Sequence, residues 1–80
     1  MPYLIVKNRD KTIFEGDVDT LSSYNKNGLF DVLLDHSNFI TVLEKSIIFR
    51  QGSGRNQEIP LDNALMKVKG NKIYVYIGVK

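Results

Sequence analysis

The chain contains no cysteine and only one histidine, His36. Without thiols it can form neither a disulfide nor a thiolate metal site, which fits a protein of a reducing compartment. A single imidazole also argues against a histidine-based metal centre. We therefore expect no metal ion and no cofactor.

Long hydrophobic runs are missing as well. No apolar stretch approaches the roughly 18 residues that a membrane-spanning helix needs. The N-terminal segment MPYLIVKNRD has no charged region before its apolar part, and that part is too short for a signal peptide. We therefore expect the protein in the cytosol, or attached peripherally at the cytosolic side of a membrane.

An excess of one charge is the third absence. The 80 residues carry a net charge of +2, and the signs alternate along the chain. Such a surface is solvated and lacks the basic stripe of a nucleic-acid-binding protein. The length is that of one domain, residues 1–80, and the 42% of apolar residues must come from nearly every strand to build a core.

Alternation of apolar and polar residues predicts β-structure throughout. It is clearest from Asn63 onward, where two alternating segments flank the tight turn Gly70-Asn71. Near the N-terminus, Tyr3 to Lys7 and Thr12 to Glu15 form a predicted hairpin, which Gly16 should end. A bulge is expected near Asp19-Thr20, where the apolar parity changes.

The central stretch, Asn27 to Leu43, has apolar residues at both parities. This pattern indicates a strand covered on both faces, or two strands that each lie on a core. The polar break from Asp35 to Asn38 predicts a corner between two sheets. A helix over residues 38–50 has the right spacing, but the β-branched content favours two strands there. About nine to ten short strands then give an all-β, two-sheet β-sandwich.

Several motifs occur in an order that resembles the N-terminal β-sandwich domain of the epsilon subunit of F-type ATP synthases. The resemblance covers nearly the whole chain, and its most specific part runs from Gly28 to His36. The matching segments are Leu4-Ile5-Val6, Phe14-Glu15-Gly16, Gly28-Leu29-Phe30-Asp31-Val32-Leu33, His36, Ile40-Thr41-Val42-Leu43 and Asn71-Lys72-Ile73-Tyr74-Val75.

This resemblance implies a non-catalytic subunit of the central stalk that contacts the gamma subunit and rests on the ring of membrane c subunits. The family usually adds a C-terminal pair of helices, which has no counterpart before Lys80. The implied partner face lies around the polar turn from Asn25 to Gly28 and the polar break from Asp35 to Asn38. Its residues are Gly28, Leu29, Asp35, His36, Ser37 and Asn38. We expect Leu29 to point outward and Phe30 inward.

Other readings have less support from the residues. Asp35, His36 and Ser37 are neighbours in sequence, so they cannot align as a catalytic triad in an extended segment; His36 could simply bond the backbone of the corner. The loop Gly52 to Arg55 resembles a phosphate loop only in composition. We expect no catalytic residue.

Lysines and tyrosines interleave near the C-terminus, and this pattern has three interpretations. Lys67 and Lys69 share one strand face, and Lys72 opens the next strand near Tyr74 and Tyr76. The face could be plainly solvated, could stack bases, or could meet a protein partner. Balanced charge elsewhere argues against nucleic acid. A β-sandwich interaction module outside the ATPase is the alternative function.

Overall fold

The computed structural model describes residues 2–32 and 38–78, and the regular structure of these residues is entirely β. This confirms the all-β prediction, including the choice of strand over helix after Asn38. The strands are β1 Tyr3–Lys7, β2 Thr12–Asp17, β3 Thr20–Asn25, β4 Gly28–Asp31, β5 Phe39–Arg50, β6 Asn56–Pro60, β7 Ala64–Lys69 and β8 Lys72–Ile77.

One continuous path of hydrogen-bonded strands folds at β5 into two layers. Layer 1 contains β2, β1, β8, β7 and the first part of β5, Phe39 to Leu43. Layer 2 contains β6, the second part of β5, Ser46 to Arg50, then β3 and β4. The pairing of β1 with β8 is parallel and the other pairs are antiparallel, so the sheet is mixed.

The long strand β5 passes from one layer to the other at Lys45. The backbone of this residue has a φ of 66°, which lies in the left-handed region that residues other than glycine rarely adopt. On the β3 side the register jumps from Ile47 to Glu44, which leaves two residues of β5 unmatched. Their carbonyls are nevertheless satisfied. The Leu61 amide donates to the Lys45 carbonyl at 2.7 Å, and the Ser23 hydroxyl donates to the Ser46 carbonyl at 2.8 Å.

The core lies between the layers and is built by the predicted alternation. In β7 and β8 every second residue faces the core, as the C-terminal pattern indicated, and all of these are buried except Ile77, which is half-buried. Phe14 of layer 1 meets Phe49 of layer 2 with ring centroids 4.5 Å apart. The buried apolar residues are Leu4, Val6, Val18, Leu21, Leu43, Ile47, Phe49, Leu61, Ala64, Met66, Val68, Ile73 and Val75.

Polar turns connect the strands where the sequence placed them. Between β1 and β2, the Asn8 side chain accepts hydrogen bonds from the amides of Asp10 and Lys11, both at 2.8 Å. The tight turn at Gly70 is present, with φ of 61°. β6 ends at Pro60 and pairs with β5 alone, as expected of a proline-containing edge strand.

Three local predictions need correction. Within the described residues there are eight strands, because Phe39–Arg50 is continuous where two strands were expected. Gly16 does not end β2, which continues to Asp17 and pairs Gly16 with Leu4. Finally, Val18 and Asp19 separate β2 from β3 where a bulge was expected. Local glycine and parity signals misled because pairing with β1 and β5 determines where these strands end.

Candidate partner-binding surface

The turn between β3 and β4 is held in a defined shape by its own side chains. The Asn25 side-chain oxygen accepts a hydrogen bond from the Asn27 amide at 2.8 Å. Gly28 follows with φ of 114°, a conformation that a residue with a Cβ would adopt only under strain. Gly28 pairs with Asn25 and opens β4, so the turn fixes the direction in which Leu29 points.

Leu29 is one of the most exposed apolar side chains of the described residues, with 62% of its surface accessible. Tyr24 lies directly opposite it on β3. Phe30 instead packs against the core, so the predicted directions of these two side chains are confirmed. On the other side of Tyr24, the Lys45 ammonium lies 5.0 Å from the ring centroid.

A groove lies between this turn and the outward face of β5. Its volume is about 420 Å³. Ile40 and Val42 form its apolar wall and are 62% and 58% exposed. The lining residues are Asn25, Lys26, Asn27, Ile40, Thr41, Val42, Glu44 and Leu65. Ile40 and Val42 lie two residues apart on the same face of the strand, so their exposed side chains form one apolar patch.

A second groove, of about 450 Å³, adjoins the first at Ile40. Its lining residues are Asn38, Phe39, Ile40, Lys67, Val68 and Lys69. The Asn38 side-chain oxygen accepts a hydrogen bond from the Gly70 amide at 3.1 Å, which ties the start of β5 to the turn between β7 and β8. Because Ile40 lines both, we treat them as one surface, the β5 groove.

The structure places three of the six predicted partner residues near this groove. Gly28 and Leu29 follow the turn that forms one wall, and Asn38 lines the opposite end. Asp35, His36 and Ser37 lie outside the described residues. The predicted set of six contact residues therefore remains a prediction.

Sequence reasoning missed Ile40, Val42 and Leu65. Apolar residues at both parities were interpreted as strands covered on both faces or resting on a core. The structure corrects this for the first part of β5, where Ile40 and Val42 face outward and are exposed. The signal was present in the sequence, but its meaning depends on which elements lie beside the strand.

Within residues 2–32 and 38–78, no group of histidine, aspartate and glutamate side chains is placed to hold a metal ion. The Tyr3 hydroxyl donates to Glu15 at 2.6 Å, and this hydrogen bond raises the pKa of Tyr3. The loop at Gly52 is a plain hairpin turn. The same described residues contain no helix that is long and apolar enough to span a bilayer.

Comparison with known families decides the identity of the domain. Residues 3–78 match the family described as the β-sandwich domain of the delta/epsilon chain of ATP synthase. The chain belongs to this family. Among curated proteins, none matches the chain in sequence. The matched residues include both layers and all residues that line the β5 groove.

Solved structures with the same fold include two mitochondrial ATP synthases. One is the Euglena gracilis OSCP/F1/c-ring complex, a chain of which is 14% identical with a TM-score of 0.83. The match covers 95% of this chain and 49% of that one. The other is the Tetrahymena thermophila central stalk/c-ring complex, at 7% identity and a TM-score of 0.74, with 94% and 61% covered. This delta/epsilon-type chain thus spans about half to three-fifths of these relatives' length.

Proposed function

We propose that this delta/epsilon-type chain is a non-catalytic subunit of the central stalk of a rotary F-type ATP synthase. It links the gamma subunit to the c ring, peripherally at the cytoplasmic side of the membrane. The observation that carries the proposal is the family match over residues 3–78. The fold shared with chains of two ATP synthase complexes adds support.

A stalk subunit must transmit force between partners without deforming, and the fold suits that role. The two layers share one core, in which Phe14 and Phe49 are in ring contact. Interiors packed in this way are dense and have low compressibility, so they transmit strain. The chemistry of ATP synthesis then belongs to other subunits, and this chain supplies attachment alone.

The β5 groove and the neighbouring Leu29 are the proposed attachment surface. Leu29, Ile40 and Val42 are the three most exposed large apolar side chains of the described residues. Burying each against a partner removes apolar surface from water, which contributes on the order of 1 to 2 kcal/mol per side chain. Gly28 and Asn38 frame this surface, and we place Asp35, His36 and Ser37 at it on the basis of the resemblance.

Co-purification with the cognate gamma subunit and c ring tests the proposal. The wild-type chain should be retained by one or both at micromolar concentrations. Ile40→Glu should weaken retention by at least about tenfold, because a charge would replace an apolar contact at the centre of the interface. Retention of neither partner by the folded chain would refute the proposed function.

Ile13 offers a matched control for Ile40. It is also an exposed isoleucine, with 41% of its surface accessible, but it lies on β2 and lines neither part of the β5 groove. Ile13→Glu introduces the same charge at a comparable cost in folding. It should leave retention unchanged. Equal losses in the two variants would place the attachment surface elsewhere.

The predicted residues of the polar break need their own test. Replacing Asp35, His36 and Ser37 together with alanine should weaken retention by gamma or the c ring and leave the unfolding midpoint close to that of the wild type. An unchanged affinity would remove these three from the contact surface. The role of Leu29 and Ile40 would then stand by itself.

A further inference from the structure

The β5 groove has an uneven distribution of charge. Lys67 and Lys69 line its far end, whereas Lys26 and Glu44 both line the end near the turn. The outer face of layer 1 extends the positive region, because Lys72 is paired directly opposite Lys69. One end of the groove is therefore apolar with balanced charge, and the other is cationic.

Lys67, Lys69 and Lys72 form an exposed cluster of like charge, in which Lys69 and Lys72 are directly opposite each other. Like charges directly opposite each other on neighbouring strands are destabilising. Across residues 2–32 and 38–78, none of Lys67, Lys69 and Lys72 forms an ion pair with a carboxylate. An acidic group supplied from outside would relieve this repulsion, and it would lie next to the exposed side chain of Ile40.

We propose that the β5 groove binds an extended partner segment in which an acidic residue lies close to an apolar one. The apolar side chain fits against Ile40, Val42 and Leu65, and the carboxylate lies between Lys67 and Lys69. This inference rests on the proposed function and specifies the chemistry of the partner at its attachment surface. Charge then sets the direction in which the segment lies along the groove.

Two other partners suit the observations less well. A membrane surface needs apolar side chains that protrude, whereas Ile40 and Val42 line a concave surface below the turn. Single-stranded nucleic acid needs aromatic faces for its bases. Phe39 is the one aromatic residue in the lining of the groove among the described residues. The half-buried rings of Tyr74 and Tyr76 lie beyond this lining, opposite Lys67 and Leu65, and they stack on each other with centroids 6.3 Å apart, so one face of each ring is already occupied.

Amide NMR of the isotope-labelled chain tests the inference with two short peptides. One alternates leucine with glutamate, and its twin has lysine in place of each glutamate. The glutamate peptide should shift the resonances of Ile40, Val42, Lys67 and Lys69, and its affinity should fall several-fold from low to moderate salt because exposed ion pairs are screened. Equal shifts with the lysine twin would overturn the inference.

Charge variants locate the acidic group. The double variant Lys67→Gln/Lys69→Gln should weaken binding of the glutamate peptide by at least about threefold, from the typical strength of exposed ion pairs. The control, Arg9→Gln/Lys11→Gln, removes the same net charge from the turn between β1 and β2 and should bind as the wild type does. Equal weakening by both would show a nonspecific effect of net charge and refute the site.

Further arms separate the inference from its rivals and from the proposed function. Vesicles containing phosphatidylglycerol, or oligo-uridine, should bind no better than the glutamate peptide at the same salt. If vesicles or oligo-uridine bind more strongly than the peptide, and lose this binding in Lys67→Gln/Lys69→Gln, that ligand and not an acidic peptide is the partner of the groove. A chain that retains gamma but ignores the glutamate peptide keeps the function and loses the inference. A chain that binds the glutamate peptide but retains neither gamma nor the c ring keeps the binding site and loses the proposed function.

Discussion

The two parts of β5 contain similar side chains in opposite surroundings. In the first part, Ile40 and Val42 are 62% and 58% exposed. In the second part, Ile47 and Phe49 are 0% and 1% exposed. The first part pairs, among the described residues, with β7 alone, whereas the second part lies between β3 and β6. Leu43, in the first part, is nevertheless only 1% exposed. Burial in this strand therefore depends on whether a side chain faces the space between the two layers, and not on its residue type.

The difference also bears on function. A strand at a sheet edge that carries exposed β-branched residues is a hazard for aggregation. Natural proteins usually reduce the hazard with charges or proline, as β6 does with Pro60. The first part of β5 keeps Ile40 and Val42 instead. Exposed β-branched residues are expected on a strand that a partner covers in the assembled complex, which is the role proposed for the first part of β5.

The same substitution in the two parts should have very different costs. Phe49→Ala removes a ring that is 1% exposed and lies 4.5 Å from that of Phe14. It should lower the free energy of unfolding by about 3 to 5 kcal/mol. Phe39→Ala removes a ring that is 37% exposed and should cost about 1 kcal/mol. Urea unfolding followed by circular dichroism measures both, and equal costs would contradict the contrast.

Much of this fold could be predicted because the relevant signals are local. The pair β7 and β8 follows from strict alternation on either side of Gly70-Asn71, which needs no knowledge of the rest of the chain. The direction of Leu29 followed from parity after a turn. The continuity of β5 could not be predicted, because the left-handed Lys45 is maintained by contacts from Ser23 and Leu61.

The attachment surface was predictable only in part for a related reason. Gly28 and Asn38 belong to segments whose polar, turn-forming character marks them in the sequence. Ile40 and Val42 look like core residues in any sequence pattern, since β-branched side chains are typical of buried strands. Only the tertiary arrangement shows that no described strand or loop covers them.

The Ser23 hydroxyl donates a hydrogen bond where β5 passes between the layers, and it should contribute more to stability than the exposed Ser22 hydroxyl. Ser23 is fully buried, and its hydroxyl is the donor to the Ser46 carbonyl at the register jump. Ser23→Ala should cost about 1 to 2 kcal/mol, because a buried acceptor loses its partner. Ser22→Ala removes an exposed bond to Asp31 and should cost less than about 0.5 kcal/mol. Thermal unfolding compares them, and a larger cost for Ser22→Ala would contradict this account.

Lys45 should tolerate glycine where an ordinary strand residue does not. Glycine relieves a left-handed conformation worth about 1 to 2 kcal/mol. It loses about 0.5 to 1 kcal/mol in chain entropy, and a cation–π contact with Tyr24 of about 0.5 kcal/mol. The free energy of unfolding of Lys45→Gly should therefore lie between about 0.5 kcal/mol below and about 1 kcal/mol above that of the wild type. Lys67→Gly in β7 should instead cost about 1 kcal/mol. A clear loss at Lys45 would mean that its side chain holds the crossing.

The opposite edge of layer 1 is β2, and it differs from the first part of β5 because a polar side-chain contact joins it to β1. There Tyr3 donates to Glu15, and this bond, followed by partial burial and the charges of Glu15 and Asp17, raises the pKa of Tyr3. Because the folded pKa lies above the unfolded one, the contact stabilises the chain below the ordinary tyrosine pKa. The stabilisation is lost as pH rises through the raised value. Glu15→Gln should lower the pKa of Tyr3 in an NMR titration of its ring, and Asp17→Asn should lower it less. Since the pair is exposed, the change in stability should be small. An unchanged pKa of Tyr3 in Glu15→Gln would show that the bond does not persist in solution.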